Sequence, residues 1–230
     1  MSAWILSPAP GYLRVAPDDG GAFTPVAAFS TRRGGVSGAP FATLNLSEGV
    51  GDDALAVRDN RARLLGALEL DPTRVAWATQ VHGAHVLTPP GPGLAGTGDA
   101  LVTRIPDLVL VVGAADCLAV LAWDEDGRVV GAAHAGWRGT VAGVVPRLME
   151  AMVHAGAASE RLVAALGPRI GPCCFAVGPD VAARFDPAHV TRPERRARHC
   201  GHVGKGTHER PRGGSVAFKC PLRVRRCDPR

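Results

Sequence analysis

The sequence predicts an α+β fold, a single domain of mixed, largely antiparallel β-sheets layered with α-helices. Three observations carry that prediction. Short apolar, β-branched runs alternate with two segments of helical periodicity across residues 22–186. The tetrapeptide "DEDG", Asp124 to Gly127, joins two of those runs as a hairpin, which favours antiparallel pairing over a wound parallel sheet. With 230 residues, 46% of them hydrophobic, the chain is long enough to bury one sizeable core.

In chain order the expected strands are "VAAFS" (26–30), "VAWAT" (75–79), "HVLT" (85–88), "ALVT" (100–103), "LVLVVG" (108–113), "LAVLAW" (118–123), "RVVGAAH" (128–134) and "LVAALG" (162–167). One helix is expected to start at Asp52 or Asp53, whose carboxylates suit an N-terminus, and to run through "ALAVRDNRARLLGALEL" until Pro72 stops it. A second follows Gly139 through "VAGVVPRLMEAMVHAG", with Pro146 an awkward early residue and Gly156 a natural end. The Gly- and Pro-rich segments "GGVSGAPFATLNL" and "LTPPGPGLAGTG" read as loops.

No window holds the roughly 18 uninterrupted apolar residues of a membrane span, and the N-terminal stretch lacks a signal-peptide pattern, so a cytoplasmic protein is expected. The net charge of +5 raises the question of a nucleic-acid partner. Its distribution argues against one. Residues 190–230 hold 12 Lys and Arg against 3 Asp and Glu, leaving 14 against 18 in residues 1–189. The chain therefore divides into a mildly acidic domain, 1–189, and an atypical basic tail, 190–230. The tail is open to several readings: a disordered or frameshifted end, a nucleic-acid arm, or a metal knuckle of Cys200, His202, His208 and Cys220, whose spacing matches no familiar zinc pattern. Cys117, Cys173 and Cys174 are expected to be reduced, since adjacent cysteines rarely bridge.

Gly91, Gly93 and Gly96 spell G-x-G-x-x-G, but Pro89, Pro90 and Pro92 crowd the turn and a strand-like run follows, so no dinucleotide site is expected. A better constellation is His82 in "QVHG", Cys117 in "AADCLAV" and His134 in "HAGWRG". Each stands at one end of an apolar run, where strand ends bring side chains together at a sheet rim. Two neutral imidazoles and a thiolate suit Zn²⁺, and three protein ligands leave a fourth position for water or substrate. The same residues also suit a nucleophilic pair, Cys117 attacking with His134 or His82 as base, or ordinary packing. Arg138, four residues after His134, can grip phosphate or carboxylate with its planar fork or form a surface ion pair. Asp116, if its segment is extended, points to the opposite face from Cys117. Trp137 reads as a packing residue. Arg32 and Asn45 bracket the loop "RRGGVSGAPFATLN", which either folds over a ligand or simply turns.

The blocks "STRRGGVSGAPFATLNLSEGVGDD", "ATQVHGAHV", "GDALVT", "AADCLAVL", "AAHAGWRGT" and "ALGPRIGPCCFAVGPDV" occur in one order over approximately residues 27–185. Together they resemble the YfiH-type family, once called laccase-domain polyphenol oxidases and now regarded as purine nucleoside phosphorylases. The resemblance implies a YfiH-like fold, with His82, Cys117 and His134 as metal-binding and catalytic residues. It implies zinc, with copper as the alternative metal, and Arg32, Asn45 and Arg138 as substrate-binding residues. The implied activities are phosphorolysis of adenosine, inosine and methylthioadenosine and hydrolytic deamination of adenosine. The implied partners are purine nucleosides and inorganic phosphate, with no nucleic acid or membrane, for a monomer or homodimer. The sequence departs from the family at Ala114, where a threonine is usual, at Ala119, usually proline, and at Phe175, usually tyrosine. The family continues after Asp186 with a helix and a final strand, and residues 190–230 are not expected to match them. The resemblance also admits a Cys-dependent hydrolase editing peptidoglycan precursors, a role suggested for bacterial relatives, and an inactive binding module is the third class if the altered C-terminus disrupts the pocket. A copper oxidase is weaker, because one such cluster supplies too few ligands for several coppers.

Overall fold

The computed structural model describes residues 4–17, 26–125, 127–171, 174–190 and 214–218, with no side-chain description for 4–6, 16–17 and 214–218. Cys173 and the residues considered for a metal knuckle in the tail lie outside the described residues.

The strands are β1 (Trp4–Ala9), β2 (Tyr12–Pro17), β3 (Ala27–Ser30), β4 (Val75–Thr79), β5 (Val86–Leu87), β6 (Gly93–Thr97), β7 (Ala100–Thr103), β8 (Val109–Ala114), β9 (Leu118–Asp124), β10 (Val130–Ala135), β11 (Leu162–Leu166) and β12 (Gly214–Phe218). They form two sheets, ordered β1-β2-β3-β12-β8-β4-β6 and β11-β9-β10-β7-β5. Pairing is antiparallel except for β4 with β6, β4 with β8, and β5 with β7. The helices are α1 (Ala54–Ala67), α2 (Trp137–Val141), α3 (Val144–His154) and α4 (Pro179–Ala182).

The period-2 alternation of strand side chains builds the layers. Phe29, Leu110 and Val112 of the first sheet meet Leu101, Leu121 and Trp123 of the second in one buried cluster between the sheets. The alternate residues of the second sheet, Val102, Val120 and Ala133 among them, pack against Val144, Leu148 and Met152 of α3. Those three are spaced by four and share a helix face. On the outer side of the first sheet, Leu64 of α1 and the adjoining Leu68 cover Tyr12, Ala28 and Val109. The order of layers is therefore α1, first sheet, second sheet, α3.

All eight expected strands are present, and the β9–β10 hairpin forms with Val129 N–H donating to Asp124 Oδ1 at 2.9 Å. Both helix expectations need correction. Asp53 caps α1 as expected, its side chain accepting from Leu55 N–H, but the helix ends at Ala67 and Glu69 turns away with φ of 56°. The second helix is two. α2 begins before Gly139, Gly143 breaks the path with φ of 79°, and α3 starts afresh at Val144. Pro146 thus falls in a first turn, where a missing N–H costs nothing. The segment "GPGLAGT", expected as loop, carries β6 on the sheet edge, where a glycine-rich strand is tolerated. No helix opens from it, so the G-x-G-x-x-G spelling has no dinucleotide context. The β1–β2 hairpin was masked by Pro8, which the edge strand β1 accommodates. β12, within the basic tail, pairs with both β3 and β8. No helix among the described residues is long and apolar enough to cross a membrane.

Candidate metal centre

Strands β4, β6 and β8 run parallel, so they leave the first sheet at one rim. From each, the chain crosses at once to the second sheet: Gln80–His85 leads to β5, Gly98–Asp99 to β7, and Ala115–Cys117 to β9. β10 is antiparallel to both β7 and β9 and ends at that same rim. His82, Asp99 and Cys117 therefore lie on three consecutive crossings, and His134 on the strand end that meets them. The ligand atoms of His82, Cys117 and His134 all lie within 4.8 Å of one another. Among the described residues this is the one group of three or more such side chains so placed.

Alternation explains the direction of His134. Val130 and Ala132 of β10 face the inter-sheet core, and His134, two residues on, shares their face. It is buried, 3% exposed, whereas His82 is open to solvent and Cys117 half-buried. The two imidazole rings meet edge to face with centroids 4.7 Å apart.

Asp99 lies beneath both histidines and is 0% exposed. Its Oδ1 accepts from His82 N–H at 2.9 Å and forms a hydrogen bond with His134 Nδ1 at 2.8 Å. Its Oδ2 accepts from Val81 N–H at 3.1 Å and Gly83 N–H at 2.7 Å. Burial pushes this carboxyl up, but the bonds from His134, Gly83 and Val81 outweigh it, and the net displacement is below the usual carboxylate range. Three successive N–H groups converging on one carboxylate form an anion nest, and His82 within it has a left-handed φ of 59°.

The segment carrying Asp116 and Cys117 is a bend, not an extended strand. The alternation that would send the two side chains to opposite faces is therefore absent, and the Asp116 carboxylate acts on the Cys117 thiol. Burial, then Asp116, then the more distant Asp99 raise the thiol above its ordinary pKa. Gly136 closes the site from behind. A Cβ there would lie 2.8 Å from His82 Cδ2 and 3.2 Å from Cys117 Sγ, so "HAGWRG" requires a glycine at this point.

The remaining candidates do not touch the three ligand residues. Arg138 is exposed on α2 and stacks its guanidinium on the Trp137 ring at 4.4 Å. Arg32 is exposed and donates from Nη2 to Ala42 O at 3.3 Å. Asn45 is buried and engaged within its own loop, donating to Ser47 O and to Asp52 Oδ2 at 3.1 and 2.8 Å. Asn60 of α1, 0% exposed, underpins that loop through bonds with Val36 N–H, Ser37 Oγ, Thr43 O and Asn45 O. The segment is therefore a braced turn. Cys174 is disulfide-bonded, against the expectation of a reduced thiol.

Sequence reasoning missed Asp99 and Asn60. The signal for Asp99 was an acidic residue directly before the apolar run "ALVT", in a position where solvent exposure was the simpler assumption. Asn60 had no signal beyond being a polar residue in a helix interior.

The chain matches the family described as multi-copper polyphenol oxidoreductase laccase over residues 26–207. A Deinococcus radiodurans protein named purine nucleoside phosphorylase is 48% identical over 158 residues, 69% of this chain and 62% of that relative. One from Streptomyces griseus, similarly named, is 46% identical over 74% of this chain and 70% of its own. The crystal structure of the hypothetical protein YfiH from Bacillus licheniformis superposes with a TM-score of 0.72 at 28% identity, covering 82% of this chain and 73% of that one. YlmD from Geobacillus stearothermophilus gives 0.70 at 32% identity, covering 80% and 71%. By sequence over most of its length and by fold, the chain belongs to this laccase-like YfiH family.

Proposed function

We propose that this chain is a zinc-dependent purine nucleoside phosphorylase that also deaminates adenosine, acting in the cytoplasm as a monomer or homodimer. The observation that carries the reading is the cluster of His82, Cys117 and His134 donor atoms within 4.8 Å at a rim shared by both sheets. Relatives named purine nucleoside phosphorylase supply the reaction class.

The donor set suits zinc: two imidazoles and one thiol, with His134 already bonded at Nδ1 to a buried carboxylate. His82, Cys117 and His134 would hold the ion, which would supply a Lewis acid to the bound substrate. His82 is the solvent-exposed member of the cluster, which leaves the donor atoms reachable from that side. Phosphorolysis forms a bond from phosphate oxygen to the ribose anomeric carbon and breaks the bond from that carbon to the purine nitrogen. The phosphate needs cationic neutralisation. β3 runs parallel to β8, through antiparallel β12 between them, so Arg32 leaves the first sheet at the rim where Cys117 lies. Arg138 follows β10 at the same rim, its stacking on Trp137 leaving the edge of its fork open. Asn45 contributes through the loop that carries Arg32. Asp116, on the Cys117 thiol, is the carboxylate nearest a proton-transfer role.

A metal-free Cys117 nucleophile is less well supported, since Asp116 and burial both disfavour the thiolate it requires. Copper oxidation is weaker again, because one three-residue cluster is too few ligands for several coppers. The test is chromatography of zinc-loaded protein incubated with adenosine, with and without inorganic phosphate. Adenine appearing only with phosphate, lost on chelation and in Cys117→Ala, is the expected result. A folded, zinc-loaded sample that yields neither adenine nor inosine overturns the reading.

A further inference from the structure

The geometry points to Asp99 as the positioning residue of the metal centre: one buried carboxylate that sets the His134 tautomer and holds the His82 backbone in register with it. The inference rests on the reading that His82, Cys117 and His134 hold a metal.

The two oxygens of Asp99 are fully subscribed. Oδ1 takes His82 N–H and lies 2.8 Å from His134 Nδ1, and Oδ2 takes Val81 N–H and Gly83 N–H. An ionised carboxylate offers about four lone-pair sites and no donor. His134 must then carry its proton on Nδ1, which leaves the Nε2 lone pair as its ligand atom. The same oxygen that fixes this tautomer also fixes the His82 backbone, whose φ of 59° is a conformation that side-chain-bearing residues rarely adopt. His82, on the crossing from β4 to β5, and His134, on β10, are 52 positions apart, yet they share one partner atom. A further bond, His134 N–H to Asp99 O at 2.7 Å, ties the two backbones.

Asp99→Asn tests the tautomer claim specifically. An amide cannot accept four bonds. With its oxygen kept at the Val81 and Gly83 N–H groups, its NH₂ faces His134 and forces Nδ1 to accept. The proton then moves to Nε2 and blocks the ligand lone pair.

The experiment has two arms. In the first, ¹⁵N NMR of the metal-free wild-type protein reads the His134 tautomer directly, with His134→Gln used to assign the resonance. The expected result is the Nδ1–H form, converting to Nε2–H in Asp99→Asn. In the second, zinc affinity is measured by competition with a chromophoric chelator, and Asp99→Asn is expected to bind about 10- to 100-fold more weakly than wild type. A wild-type His134 in the Nε2–H form overturns the proposal, whether or not the variant folds. A folded Asp99→Asn that binds zinc as tightly as wild type also overturns it, while leaving the metal reading intact. A wild-type protein that shows the Nδ1–H form and takes up no zinc overturns the metal reading, and this role with it.

Discussion

Gln80 and Gly113 form a two-way hydrogen-bonded pair: Gln80 Nε2–H donates to Gly113 O at 2.8 Å, and Gly113 N–H donates to Gln80 Oε1 at 2.6 Å. The amide side chain continues the β4–β8 pairing past the last backbone bond of β4. It fixes where the His82 segment leaves the sheet relative to the Cys117 segment. Gln80→Ala is expected to destabilise the fold by about 1–3 kcal/mol, the cost of leaving part-buried backbone groups unpaired. It should also weaken zinc binding. Urea denaturation with a parallel zinc titration checks both, and an unchanged midpoint contradicts the first.

Gly136→Ala places a methyl carbon 2.8 Å from the His82 ring and 3.2 Å from Cys117 Sγ. The backbone there has φ of −66°, which alanine adopts freely, so the effect is steric and local. Zinc affinity is expected to fall about 10- to 100-fold, as for other displacements of a metal ligand, with little change in thermal stability. Equal affinity in variant and wild type would show that the ligands move aside at no cost.

Asn60→Ala removes the side chain that pairs Val36 N–H and Asn45 O beneath the first Gly-rich loop, while Thr43 O keeps its bond from Ser37 N–H. Each orphaned buried group costs about 1–3 kcal/mol, so a loss of about 2 kcal/mol or more is expected. Asn60→Asp keeps the acceptor for Val36 N–H but turns a carboxylate oxygen toward Thr43 O and Asn45 O, and is expected to cost at least as much as Asn60→Ala. The metal centre should still load, since the loop contributes none of its ligands; failure to bind zinc in a folded variant would refute that separation.

Asp52 accepts from Asn45 and Ser37 in the same network. Chiefly through the Asn45 bond, with Ser37 and the Asp53 N–H adding to it against the opposing effect of burial, its pKa lies below the ordinary carboxylate range. A depressed carboxylate stabilises the fold above its unfolded pKa, about 3.9, and that contribution disappears as pH falls through the folded value. Asp52→Asn is therefore expected to flatten the acid limb of the stability curve below about pH 4. A limb of unchanged slope in thermal melts across that range would show that Asp52 does not link folding to protonation.

How much of this was legible depended on which force acted. Strands such as "LAVLAW" and "RVVGAAH" were readable because burial on both faces leaves a continuous apolar run bounded by polar turns. β6 was not, because its place depends on a neighbour, β4, rather than on side chains of its own. The break at Gly143 was hidden inside an apolar period that continues across it; only its φ reveals the stop. Of the site, His82, Cys117 and His134 stood out because imidazole and thiol at strand ends have a recognisable chemistry. Asp99 did not, since a carboxylate announces a buried role only through the donors that surround it, and three of its four are backbone N–H groups that no sequence spells.

Three crossings at one rim also say where this chain can tolerate change. The stacked sheets stand about 10 Å apart, and the spans that bridge them at His82, Asp99 and Cys117 are short, so the spacing of the ligands is inherited from the separation of the layers. The reactive groups are stitched along a seam. The opposite rim carries the return crossings, 88–92 from β5 to β6 and 104–108 from β7 to β8, together with the β9–β10 turn, and none of the three candidate ligands lies on it. An added residue there is expected to leave the cluster intact, whereas one between Ala114 and Leu118 pulls the seam open.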